Sequence, residues 1–159
     1  MAILISLLVA SVIYADSPAS RMCSVDDLQA CKSCKSLSRV LSKADPDYGE
    51  YLHGAEWNGL YAAYVHDCQA LAEDLLKRGA NPNRGGALGS MIISVIGKWP
   101  HNNKKVNQRW TALLLKNGAS IRKKVPHEDK TPQEVMKAYG ETPEYADLWS
   151  QFQQAEAPK

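Results

Sequence analysis

The residues with the most pointed chemistry are four cysteines, four histidines and one knot of carboxylates. Cys31-Lys32-Ser33-Cys34 has the CxxC spacing that serves thiol–disulfide exchange or supplies half of a metal site. Exchange of the thioredoxin kind wants that pair in a strand-to-helix setting, and structural zinc wants a second ligand pair at matched spacing. Neither is evident in this chain. With Cys23 and Cys68 the cysteine count is even, which in an exported protein points to disulfides, with three pairings open. We expect one of Cys31 and Cys34 to bond Cys68 and staple the N-terminal helix onto the first helical pair; redox or metal handling through Cys31 and Cys34 is the alternative. His53, His66, His101 and His127 are scattered over loops and helix ends, where a histidine is ordinarily a solvated polar group. Asp45, Asp47 and Glu50 fall in a proline–glycine turn and read as a solvated face. No GxSxG, HExxH, Walker-type glycine loop or dinucleotide fingerprint occurs, and no nucleophile stands beside a base. Neither an enzyme, nor a cofactor, nor a metal is expected.

The elements that position these residues centre on 58–83. Leu60, Ala63 and Tyr64, then Ala70, Leu71, Leu75 and Leu76, recur at the i, i+3, i+4 spacing of two short amphipathic helices. His66-Asp67 is a polar break between them. Gly79 stands where a helix end needs a left-handed residue, and Asn81-Pro82-Asn83 is turn chemistry. The ending recurs as Leu113-Leu114-Leu115-Lys116-Asn117-Gly118-Ala119-Ser120, with the second glycine 39 positions after the first. A third start is Lys130-Thr131-Pro132, with Thr131 as N-cap and Pro132 at the first helical position, followed by a last helix through Leu148, Trp149 and Phe152.

Helix, turn, helix, glycine stop and turn resemble an ankyrin repeat, whose period is about 33 residues. The longer spacing here is absorbed by Trp99-Pro100-His101-Asn102-Asn103, a lengthened inter-helix turn. Asn58-Gly59 replaces the usual Thr-Pro, and Tyr61 the usual histidine. The resemblance covers 58–152 and implies an all-α fold, a short ankyrin-repeat solenoid shielded by an N-terminal capping helix over 24–44. The expected organisation is a leader at 1–15, a lead-in and cap at 16–57, repeats at 58–152 and a fraying tail at 153–159. An irregular bundle of helical hairpins is the plainer alternative. A solenoid binds proteins through its concave face and hairpin tips, which makes Asn83, Arg84, Trp99, His101, Arg122 and Lys123 the candidate partner-binding residues.

A formal charge of +2 from 19 bases and 17 acids argues against a dedicated nucleic-acid binder. The uncharged apolar run from Ala2 to Ile13, then Tyr14-Ala15-Asp16, reads as the core and cleavage site of a secretory signal peptide, although no Lys or Arg precedes it. The expected location is the periplasm, with no stable membrane insertion after cleavage; a start at Met22 would give a second, cytosolic form. A small ankyrin-like domain behind such a leader is similar to the immunity proteins that neutralise toxins delivered by type VI secretion, including those paired with phospholipase effectors. The resemblance implies a one-to-one complex with a toxin. Periplasmic ankyrin proteins associated with catalase and peroxide protection are the second family of this description.

Overall fold

The computed structural model describes residues 22–97, 100–125, 129–139 and 146–156. Residues 49–58 overturn the all-α solenoid. β1 (Gly49–Leu52) and β2 (Ala55–Asn58) form an antiparallel hairpin whose register runs from Gly49↔Asn58 to Leu52↔Ala55. His53 and Gly54 between them have φ of 51° and 80°, the two left-handed residues of a type I′ turn, whose twist suits paired strands. β3 (Gly86–Ala87) adds to the other side of β2, in the order β1-β2-β3. The described residues therefore form a mixed α/β fold, seven α-helices with a three-stranded antiparallel sheet, in place of the ankyrin-repeat solenoid expected. Two local features conceal the sheet. His-Gly is not one of the strong hairpin dipeptides, and Ala-Glu-Trp-Asn alternates over four residues alone, with a burial that does not follow it: Glu56 and Asn58 are buried and Trp57 only partly so.

The helices follow the periodicity more closely. α2 (Gly59–Val65) begins at Asn58, whose Oδ1 accepts the Tyr61 amide at 2.9 Å. Asp67, with φ 52°, turns the chain into α3 (Gln69–Lys77). α3 closes through Gly79 at φ 102°, with Gly79 N–H donating to Leu76 O and Ala80 N–H to Leu75 O. α4 (Met91–Ile96) and α5 (Lys104–Lys116) repeat the arrangement; at Gly118, φ 84°, the same two bonds run to Leu115 O and Leu114 O. Both ends are Schellman motifs, which a glycine at this position enters without a Cβ clash. α6 (Pro132–Tyr139) starts on a reciprocal cap, Glu134 N–H to Thr131 Oγ1 and Thr131 N–H to Glu134 Oε2. α7 (Ala146–Ala155) packs on α5 and runs past the expected tail boundary, because Glu156 accepts the Ile121 amide at 2.5 Å.

At the N-terminal end the single capping helix resolves into a 3-10 turn at Leu28–Ala30 and α1 (Cys34–Leu41). Ser33 and Ser36 restart the helix with a capping box, and a Cys23–Cys31 disulfide closes the loop before it. A second disulfide, Cys34–Cys68, ties the first residue of α1 to the N-cap of α3. One continuous core runs from Leu28 through Leu60, Tyr64, Leu75, Ile92, Trp110 and Leu114 to Phe152.

Candidate functional site

β1 is an edge strand of the sheet, and its side chains lie outside the core. Glu50, Tyr51 and Leu52 are all exposed, whereas of their partners on β2 Trp57 is half-buried and Glu56 and Ala55 are buried. Tyr48, Tyr51 and Leu52 keep 39%, 40% and 39% of their surface in water. Among the described residues the remaining exposed large apolar side chain is Met22; the others are buried or partly so. Three such side chains in five residues are a concentrated apolar display.

The display is anchored at several points. Trp57 on β2 stacks edge-on against buried Tyr61 with ring centroids 5.0 Å apart, which fixes the hairpin to α2. Tyr61 leads on to Tyr64, whose ring meets those of Trp110 at 5.1 Å and His101 at 5.0 Å. At the base, a Cβ on Gly49 would lie 2.7 Å from the Asn58 Cβ, so only glycine allows the two strands to approach there. The Tyr48 hydroxyl donates to Asp26 at 2.9 Å, joining the hairpin to the Cys23–Cys31 loop. Asp47 accepts the Asn81 amide at 2.7 Å, and Arg78 donates to the Leu41 and Ala44 carbonyls, anchoring the segment that leads into β1.

The electrostatics of this end are one-sided. Residues 44–76 carry seven Asp or Glu and no Lys or Arg; residues 75–127 carry eleven Lys or Arg and no Asp or Glu. Folding brings carboxylates from outside the basic stretch back onto it. Asp74 meets Arg78, Glu56 meets Arg84, Asp67 meets Arg109 at 2.5 Å, Asp147 meets Lys104 at 3.0 Å, Glu156 meets Arg122 at 3.2 Å, and Asp129 meets Lys124. Around the hairpin no such compensation occurs among the described residues. Asp26, Asp45, Asp47 and Glu50 accept hydrogen bonds at most, and none is held by a Lys or Arg. The Asp26 carboxylate accepting its proton, with Glu50 adding to the field, holds the Tyr48 phenol above its usual range.

The candidates drawn from the sequence fall elsewhere. Asn83 is buried and bridges the two glycine turns, its Oδ1 accepting the Ser120 amide at 2.6 Å while its Nδ2 donates to Asn81 Oδ1 at 3.2 Å. Arg84 is the counter-ion of buried Glu56, which also accepts the Gly85 amide. His101 packs edge-on to Tyr64, its Nε2 lies 2.5 Å from the Tyr64 carbonyl, and its own carbonyl accepts from Asn107. Arg122 and Lys123 are exposed on the turn after Gly118, where Arg122 pairs with Glu156. Trp99, His127 and the leader at 1–15 lie outside the described residues. Tyr48, Tyr51 and Leu52 were not anticipated; the signal that marks them is a Tyr-x-x-Tyr-Leu run before a two-residue turn, flanked by acids without a base.

The four cysteines are spent in two disulfides, so the two ends of the CxxC bond to different partners, and Cys34 is the one that reaches Cys68. His66 sits beside this staple. Burial, then the charge of Lys32, holds its imidazole below the usual range against an opposing hydrogen bond with the Cys31 backbone. Among the described residues no three of His, Cys, Asp and Glu gather as a metal site. A hollow of about 280 Å³ between α3 and α5 is lined by Gln69, Glu73, Arg109, Ala112, Leu113 and Lys116. It offers mixed charges over an apolar floor and no nucleophile with its base. Comparison with protein-family models, with curated proteins and with solved structures finds no match to this chain.

Proposed function

We propose that this chain is an immunity protein, which binds a cognate secreted toxin one to one and blocks it sterically, with the β1–β2 hairpin as its docking element. The observation that carries the reading is the exposure of Tyr48, Tyr51 and Leu52 together on a segment braced from below by Trp57 and Tyr61. Large, pre-positioned apolar and aromatic groups are what protein interfaces use as anchors, because little side-chain entropy is lost when they are covered. Two disulfides suit an oxidising compartment, and no helix among the described residues is long and apolar enough to cross a membrane. The disulfides support the periplasm as the place of action. The lipase or phospholipase class of the toxin is proposed from the resemblance of a secretory leader followed by a small domain; the ankyrin-like part of that resemblance falls with the solenoid.

The test is protection. The exported protein is recovered from its own cells with whatever it retains, and a co-purifying hydrolase is then expressed in the periplasm of a sensitive strain. Survival with the wild-type chain, lost with Tyr51→Ala/Leu52→Asp at unchanged protein level, is the expected result. Survival independent of the chain overturns the function. Survival that persists in the double variant moves docking off the hairpin.

A further inference from the structure

We infer that the hairpin recognises a protein segment in which lysine or arginine side chains are interleaved with apolar ones. The inference rests on the hairpin being the docking element, and adds the chemistry of what it takes.

Along 45–52 the chain alternates the two properties that a partner must answer. Asp45, Asp47 and Glu50 supply negative charge, Tyr48, Tyr51 and Leu52 supply apolar surface, and Asp26 joins the same patch through the Tyr48 hydroxyl. The charge is left over by folding. Of the seven carboxylates in 44–76, Glu56, Asp67 and Asp74 are claimed by Arg84, Arg109 and Arg78. Those at the hairpin meet no cation among the described residues, although the chain as a whole carries a net positive charge. The nearest basic residue on the N-terminal side is Lys43, and on the C-terminal side there is none before Lys77.

An acidic apolar edge selects among partner classes. Nucleic acid and an anionic bilayer present phosphate, which these carboxylates repel. A bare metal ion finds no cluster of three ligands among the described residues. A basic and apolar protein segment satisfies both properties at once: its cations pair with the carboxylates and lie over the tyrosine rings, while its apolar groups cover Leu52. Attraction of this kind speeds encounter and falls with salt, because exposed charges are screened over roughly 8–10 Å at physiological ionic strength.

The experiment needs no toxin. The protein, purified after export with both disulfides formed and labelled for amide NMR, is titrated with a capped octapeptide alternating lysine and leucine. A twin carrying glutamate for each lysine serves as the control. The lysine peptide should shift the amides of residues 48–52, with an affinity on the order of tenfold weaker in Asp45→Lys/Glu50→Lys and in raised salt. Tyr51→Ala/Leu52→Ala should weaken it about fivefold. All four positions are exposed, and an unchanged amide spectrum elsewhere shows that each variant is folded. Equal binding of the glutamate twin, shifts centred on another element, or indifference to the charge reversal would each overturn the proposal. Dimers of the free protein that Leu52→Asp disperses would assign the surface to a second copy and overturn it as well. If the peptide fails while Tyr51→Ala/Leu52→Asp still abolishes protection, the charge rule falls and the docking element stands; if protection also persists in that variant, both fall.

Discussion

Removing Arg84 should destabilise the protein by more than removing the glutamate it serves. Glu56 lies on the middle strand with 1% of its side chain exposed, and it has two donors, the Arg84 guanidinium and the Gly85 amide at 3.2 Å. Arg84→Ala leaves a carboxylate in that site with one backbone donor. Breaking a buried pair from one side costs about 3–5 kcal/mol. The Arg84 side chain is itself 35% exposed, so water reaches part of the pair and reduces the cost to about 2–3 kcal/mol. With a urea dependence of about 2 kcal/mol per molar, the unfolding midpoint should fall by roughly 1–1.5 M. Glu56→Gln preserves the shape, keeps an acceptor for Gly85, and should cost about 1–2 kcal/mol. Adding Glu56→Gln to Arg84→Ala should recover about 1 kcal/mol, because the stranded charge is gone. Urea titrations of the four proteins decide the matter. A double variant no more stable than Arg84→Ala, or an Arg84→Ala midpoint within about 0.2 M of wild type, would refute the claim that neutralising Glu56 is what Arg84 contributes.

Two further outcomes concern the staple beside His66. Cys34→Ser opens a loop with a sequence separation of 34, and the chain-entropy model assigns its closure about 4 kcal/mol, read as a urea midpoint with Cys23–Cys31 intact by thiol counting. A loss under about 1 kcal/mol would mean that α1 is held to α3 by packing alone. Because burial and Lys32 depress the His66 pKa in the folded state, the unfolded chain binds more protons there below about pH 6.5. Its contribution is therefore full above that pH and is lost as pH falls through 6.5 towards the folded value. His66→Gln should flatten the drop in urea midpoint between pH 7.5 and 5.5, and an unchanged slope would rule His66 out as its source.

Much of the helical layer was legible because its determinants are local. Gly79 and Gly118 mark helix ends by what glycine alone can do at positive φ, and both close the same pair of backbone bonds. Thr131 and Pro132 announce α6 through a cap three residues long. An even cysteine set with Cys68 facing Cys31 or Cys34 was readable as a staple, though not which of the two would take part. The 3-10 turn and restart at Ser33 were not, since the Cys23–Cys31 bond that bends the chain there is a pairing.

What the sequence by itself determined is periodicity, caps and stops, each settled within one or two helical turns by backbone sterics and apolar spacing. The tertiary structure alone decided the sheet, the fate of the candidate residues and the exposed hairpin. Glu56 is tolerable inside a strand only because Arg84, 28 residues on, arrives beside it. Asn83 and His101 are drawn inward because the Ser120 amide and the Tyr64 carbonyl, each 37 residues away, lie within their reach. Tyr48, Tyr51 and Leu52 stay outside because the segment from Tyr48 runs into an edge strand, β1, whose ladder is made with β2 and whose side chains are left exposed. Such contacts depend on which distant groups fold together, and no local spacing encodes that.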